Sequence, residues 1–187
     1  MKLGTGPAKS GWHSLINSTH GRLWDRRAFS RAPQYVFQCG LATLALLIIL
    51  LIDDAVLNAV VVAAVASSAF IVFVVPDSIA ATPRKVIGGH LVAVLIGGAL
   101  SLLLHSAFKN PVVGQNNIIF DAMAALSLGL SILLMVVTNT EHPPAAGTAL
   151  ALLIQGFEWN LVLFVLLSAI LLSFIRMVLR NRLTNLL

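Results

Sequence analysis

Five stretches of this chain are apolar for close to the ~20 residues that a helix needs to cross a ~30 Å hydrocarbon core. They are Gln34–Ile52, Ala55–Val75, Val86–Ala107, Ile118–Thr138 and Trp159–Leu179. A water-soluble core cannot absorb so many long runs, and charge is too scarce to cover them. Only 10% of the 187 residues are charged, where a soluble domain carries ~25%. The sequence therefore predicts an all-α polytopic membrane protein.

A sixth run, Ala145–Gln155, is short. From Pro143 to Phe157 a helix would reach only ~22 Å. It either crosses where protein thins the barrier or dips in and returns. Charge decides between them. With the amino end inside and six crossings, eleven of the twelve Lys and Arg residues lie inside, and only Lys109 joins Asp53, Asp54 and Glu158 outside. A re-entrant piece would put Arg176, Arg180 and Arg182 outside, against the positive-inside rule. Six transmembrane segments, one of them short, are expected, with both termini cytoplasmic in a bacterial inner (plasma) membrane. An oligomer of this small chain is expected too.

The expected organisation is a basic cytoplasmic tail over 1–33, a transmembrane domain over 34–180 and a short cytoplasmic tail over 181–187. The first thirty-odd residues are polar and basic without the apolar core of a signal peptide. Within them Trp12, Leu15, Ile16, Thr19, Leu23 and Trp24 recur near helical spacing, as in a helix lying on headgroups. A transit peptide is the weaker alternative, with Asp25 the lone acid there. The net charge of +5 sits at span ends as a topology signal, so no nucleic-acid partner is expected. Cys39 stands alone. It allows no disulfide within the chain and no metal set, and neither metal nor cofactor is expected.

Two polar breaks share one plan: "PDSIAATPRKVIGGH" and "TNTEHPPAAGTAL". Each follows a span that ends inside, and each opens a new helix with proline, whose missing N–H would be unpaired there anyway. Thr82 is placed to cap the first start, and Thr140 is the nearest hydroxyl to the second. Spans 2–3 and 4–5 thus read as an internal repeat, a habit of transporters and channels.

A helix starting at membrane depth presents free N–H groups and a partial positive charge. It is tolerated only beside protein or a wet cavity, and anions suit it. His142 adds a donor or a proton, while Arg84 and Lys85 add fixed charge if the breaks meet. Glu141 either pairs with a base or repels an anion. Ala145, Ala146 and Gly147 leave room for a ligand. The plainer reading is that Pro143–Pro144 sets a turn and His142 bonds backbone.

His90, just inside span three, carries the same two readings. His105 reads as an interface residue. Asp121 lies at the outer headgroups or in a vestibule. Asn58, Ser67, Ser127, Ser131 and Gln155 either line a polar path or bond between helices. Gly89, Ala93, Gly97 and Ser101, widened by Gly88 and Gly98, form a small-residue stripe for close helix packing.

"HPPAAGTAL" together with "PDSIAATPRKVIGGHL" resembles the HPP family of small integral membrane proteins, named for its His-Pro-Pro tripeptide. The resemblance runs from about Tyr35 to Leu179. It implies four or more spans and transport, since cyanobacterial and chloroplast-envelope members are associated with nitrite movement. The motif falls on His142, Pro143 and Pro144, and its upstream partner on Pro83, Arg84, Gly88, Gly89 and His90.

The expected binding set for nitrite or a similar monovalent anion is His142, Pro143, Pro144, Gly147, Arg84, His90 and Thr140. The alternative is a membrane sensor or assembly subunit whose basic tail docks protein or anionic lipid. An enzyme is not expected. No His-Glu-x-x-His spacing appears, and no Ser or Cys nucleophile has a base set beside it.

Overall fold

The computed structural model describes residues 31–52, 59–107 and 118–186. The N-terminal tail with its suggested interfacial helix, and Asp53, Asp54, Asn58 and Lys109, lie outside the described residues. The chain divides into two compact units, 1–33 and 34–187. The second unit is a bundle of helices.

Its elements are α1 (Ala32–Ile52), α2 (Ala59–Val74), a 3₁₀ turn (Ile79–Ala81), α3 (Pro83–Ala107), α4 (Ile118–Val137), α5 (Pro143–Gln155) and α6 (Trp159–Leu179). All are helical, because lipid offers backbone groups no other partner. Helices α1, α3, α4 and α6 are long and apolar enough to cross a membrane. The described part of α2 has 16 residues. Helix α5 has 13, or about 20 Å. Leu95, Leu102, Leu133 and Leu167 face outward, as lipid-facing side chains do. Inside, buried Val, Leu, Ile and Phe side chains pack with Ala and with hydroxyl residues such as Ser68, Ser127 and Thr148.

One face of the bundle collects alternate helix ends. Tyr35, at the start of α1, donates to the Leu186 carbonyl beyond α6. Arg176, near the end of α6, donates to the Pro76 carbonyl just past α2 at 2.6 Å. Lys85, in the first turn of α3, reaches Asn139 and Glu141, just past α4. The short α5 therefore counts as a traverse of the bundle. Had it turned back, α6 would have ended at the opposite face.

The centre is the pair α3 and α5, which have the most extensive contact of any two helices among the described residues. Their register follows from the glycines of α3. A Cβ on Gly88 would stand 2.6 Å from the Thr140 methyl, one on Gly89 2.7 Å from His142 Cβ, and one on Gly97 2.6 Å from the Ala149 backbone. Farther along, Gly98 meets Phe157, and His105 meets Gly156. The two helices thus run parallel. The start of α5 lies beside Gly89, about 9 Å along α3 from Pro83 at 1.5 Å per residue. It is a recessed start.

Helix α5 ends at Gly156, whose φ of 92° and ψ of 165° suit glycine almost alone. Helices α2, α4 and α6 close around the central pair. Ala45 and Ile49 of α1 join the core that α2 and α6 share.

The segment 181–187 is expected as a short cytoplasmic tail. Its described part folds back and docks. The Leu186 amide bonds the Val74 carbonyl at 3.0 Å. Gln38 is wholly buried, and its Nε2 donates to the Phe73 carbonyl at 2.6 Å and the Thr184 carbonyl at 2.9 Å. Its Oε1 accepts from the Thr184 amide and hydroxyl, both at 3.3 Å. One amide side chain thereby ties α1, α2 and the terminus together.

Candidate functional site

Helix α4 stops in a Schellman turn. Asn139 takes φ 55°, a left-handed conformation that Asn tolerates better than most residues. The Thr140 amide bonds the Met135 carbonyl and the Asn139 amide the Val136 carbonyl, the double closure of that motif. The chain is thereby turned across the first turns of α3 and held there. Lys85 donates to Asn139 Oδ1 at 2.7 Å and pairs with Glu141. Arg84 donates to the Thr138 carbonyl at 3.4 Å. Thr140 bonds the Thr138 hydroxyl at 2.8 Å.

Glu141 therefore pairs with a base, resolving the choice left by the sequence. The hydrogen bond from Lys85 holds its carboxyl below the ordinary carboxylate range, helped by a bond to its own backbone. His142 follows with φ −133° and ψ 95°, the extended form that a residue before proline adopts. Pro143 and Pro144 then open α5.

The His142 ring points inward and is 1% exposed. Its Nδ1 lies 2.9 Å from the Ala80 carbonyl oxygen, and its Nε2 lies 2.9 Å from Ser68 Oγ. The same Oγ lies 2.9 Å from His90 Nε2 and 3.0 Å from the Ala64 carbonyl oxygen. His90 Nδ1 lies 2.9 Å from Thr148 Oγ1. Ser68, His90 and Thr148 are all buried. The ring centroids are 5.4 Å apart.

Donor and acceptor counting gives this cluster one direction. The Ala80 carbonyl only accepts, so His142 Nδ1 carries a proton. In the neutral ring Nε2 is then bare and takes the Ser68 proton. Ser68 accepts in turn from His90 Nε2–H, which leaves His90 Nδ1 to accept from Thr148. The chain runs Thr148, His90, Ser68, His142, Ala80. With both rings neutral every ring nitrogen is satisfied, as burial at membrane depth demands.

Beside it, between α4 and the start of α5, lies a hollow of about 230 Å³ lined by Ile132, Met135, Val136, Glu141, His142, Pro143 and Ala146. Among these only Glu141 and His142 are polar. A second hollow of about 220 Å³, lined by residues including Asp77, Thr82, Arg176 and Arg180, opens at the charged face.

The structure brings His90 and His142 together, with Pro143 and Pro144 shaping the recessed start. It leaves Arg84 and Thr140 at the rim. Gly147 faces Ala64, where a Cβ would stand 3.3 Å away. Its smallness lets α5 pack on α2.

Several backbone donors at the two helix starts are absent or already engaged. Pro143 and Pro144 have no N–H, and the Ala145 amide already bonds the His142 carbonyl at 2.9 Å. On α3 the Lys85 and Val86 amides both bond the Thr82 carbonyl at 2.9 Å. The Thr82 hydroxyl donates back to Ile79 at 2.8 Å. The second proline, which marks the motif, leaves the start of α5 with one N–H fewer.

Sequence reasoning missed Ser68 and Thr148. It singled out Ser67, which is exposed and bonds the Ala63 carbonyl in its own helix at 2.7 Å. One residue is about 100° of helix, and that turn separates lipid from the cluster. Ser127 bonds the Ala149 carbonyl at 3.4 Å, between helices, and Asp121 is exposed in the first turn of α4. The useful signal was depth: Ser68 precedes its span's end by about as many residues as His90 follows its span's start.

The family described as HPP, transmembrane region, matches residues 29–185. A transmembrane protein of Dictyostelium discoideum is 37% identical over 90 residues, which are 48% of this chain and 28% of that relative. The chain thus spans less than a third of that relative's length. No solved structure matches.

Proposed function

Since this chain belongs to the HPP family of integral membrane proteins, we propose that it carries a small monovalent anion, nitrite first, across the bilayer past His142. The observation behind this reading is the buried His90–Ser68–His142 junction beside the hollow at the start of α5. Ionisable side chains at membrane depth are expensive, and those that persist there mark substrate and ion paths. The hollow of about 230 Å³ is ample for a triatomic ion.

Arg84 and Lys85 stand at the rim on the bundle face that also carries Arg176 and Arg180. A basic mouth raises the local concentration of an anion. By the positive-inside rule that face is cytoplasmic, in a bacterial plasma membrane. Transport through this path breaks no covalent bond, so the protein acts as a carrier or channel and not as an enzyme.

The test is nitrite uptake into vesicles reconstituted with the purified chain at neutral pH. Uptake above that of protein-free vesicles supports the reading. Background uptake, together with a stoichiometric protein partner on purification, would favour a sensor or assembly subunit.

A further inference from the structure

The hollow beside His142 is poorly suited to a bare anion. Its walls are apolar except for Glu141 and His142. Lys85 is engaged by Glu141 and Asn139, and Arg84 is exposed and directed to the Thr138 carbonyl. Among the described residues, therefore, no fixed cation lines the hollow. An unpaired ion in apolar surroundings costs many kcal/mol, and the Glu141 carboxylate adds repulsion that Lys85 offsets. The group left to supply positive charge is His142 itself.

We infer, resting on the anion-transport reading above, that His142 takes up one proton with each anion, so that the transported unit is the anion plus H⁺. The hydrogen-bond geometry makes room for this proton. When His142 Nε2 is protonated it donates to Ser68 Oγ, and the Ser68 proton turns to the Ala64 carbonyl 3.0 Å away. The Ser68 oxygen then accepts from both histidines with its two lone pairs. His142 Nδ1–H keeps its bond to Ala80. No donor is orphaned in either state.

His90 lacks this provision. A proton on its Nδ1 would meet Thr148 Oγ1, whose own hydroxyl proton must first turn away. Two charged rings with centroids 5.4 Å apart would also repel strongly, so the junction holds one proton and not two.

The charged and titratable groups around His142 are His90, Lys85 and Arg84 on α3 and Glu141 beside it. Among the described residues that face it, α2 and the 3₁₀ turn offer Ser68, Ala64 and Ala80, and α4 offers Ile132, Met135 and Val136. None of these titrates. The proton balance is simple: H⁺ binds His142 Nε2 from the side where the anion enters and leaves with it on the other. Neutral cargo makes the flux respond to a pH gradient and not to voltage.

The experiment uses the full chain in vesicles holding a pH-sensitive dye, with voltage set by a potassium gradient and valinomycin. Protein-free vesicles give the background from nitrous acid leak. The expected result is nitrite uptake accompanied by lumen acidification at one proton per anion, accelerated by a pH gradient and unchanged by voltage. H142Q is expected to lose the pH-driven component. Voltage-driven nitrite uptake without proton movement would overturn the coupling and leave transport standing. Uptake no faster than background would overturn both. The wild-type comparison of pH and voltage needs no variant, so poor folding of H142Q cannot mask the answer.

Discussion

Gly97 and Ala149 touch through their backbones: a Cβ on Gly97 would stand 2.6 Å from both the Cα and the carbonyl oxygen of Ala149. This contact, continued at Gly88 and Gly89, seats α5 against α3 and brings His142 within one hydroxyl of His90. Backbone cannot yield as a flexible side chain can.

Gly97→Val is therefore expected to force α3 and α5 apart. Overpacking of this kind costs ~1–3 kcal/mol or more, enough to lower the melting temperature in detergent and broaden the size-exclusion peak. Gly129 is the control. A Cβ there meets nothing within 4 Å, so Gly129→Ala is expected to leave both readouts unchanged.

Removing the shared hydroxyl should be costly as well. Ser68→Ala leaves His142 Nε2 without its donor and His90 Nε2–H without its acceptor. Each buried unsatisfied group costs ~1–3 kcal/mol. Ser67→Ala, one position away and exposed, should be neutral. Paired melting curves of the two variants check this directly.

The Lys85–Glu141 pair gives a pH signature. The Glu141 carboxyl is depressed in the folded state, chiefly by the hydrogen bond from Lys85. A depressed carboxylate stabilises above its unfolded pKa of about 4.3, and that stability is lost as pH falls through the lower folded value. Thermal stability should therefore drop on acidification below about pH 4.3. Glu141→Gln should already lack that contribution at neutral pH and lose less on acidification. Melting temperatures against pH in both proteins test the sign.

Gln38 holds the chain end. Gln38→Leu removes the donor to Phe73 and Thr184, leaving buried carbonyls short of a partner at ~1–3 kcal/mol. The 180–186 segment should then become open to carboxypeptidase and its amides should exchange faster. Trimming at the wild-type rate would contradict the clamp.

The large features were legible because they rest on length and composition. Run length set the six helices among the described residues. Charge set the count of crossings, and proline fixed where α3 and α5 begin. The glycine stripe named the packing face of α3. Side-chain direction within a span was not legible. A helix that is apolar on every face, such as α2, has no polar side to show which serine points inward. Ser67 and Ser68 were thus indistinguishable until α3 and α5 supplied the two histidines. The missing donors at the start of α5 could have been read from Pro143 and Pro144 alone, since neither carries an N–H. The docking of the chain end could not, because it depends on Gln38 meeting backbone more than a hundred residues away.

The central claim is that His142, bridged to His90 through Ser68, is the working part of an anion path. The most direct measurement is pH-driven nitrite uptake by wild type, R84A and H142Q in vesicles matched for folded protein. The expected order is wild type fastest, R84A slowed at the rim but active, and H142Q at the protein-free background. H142Q carrying nitrite at the wild-type rate would contradict the account.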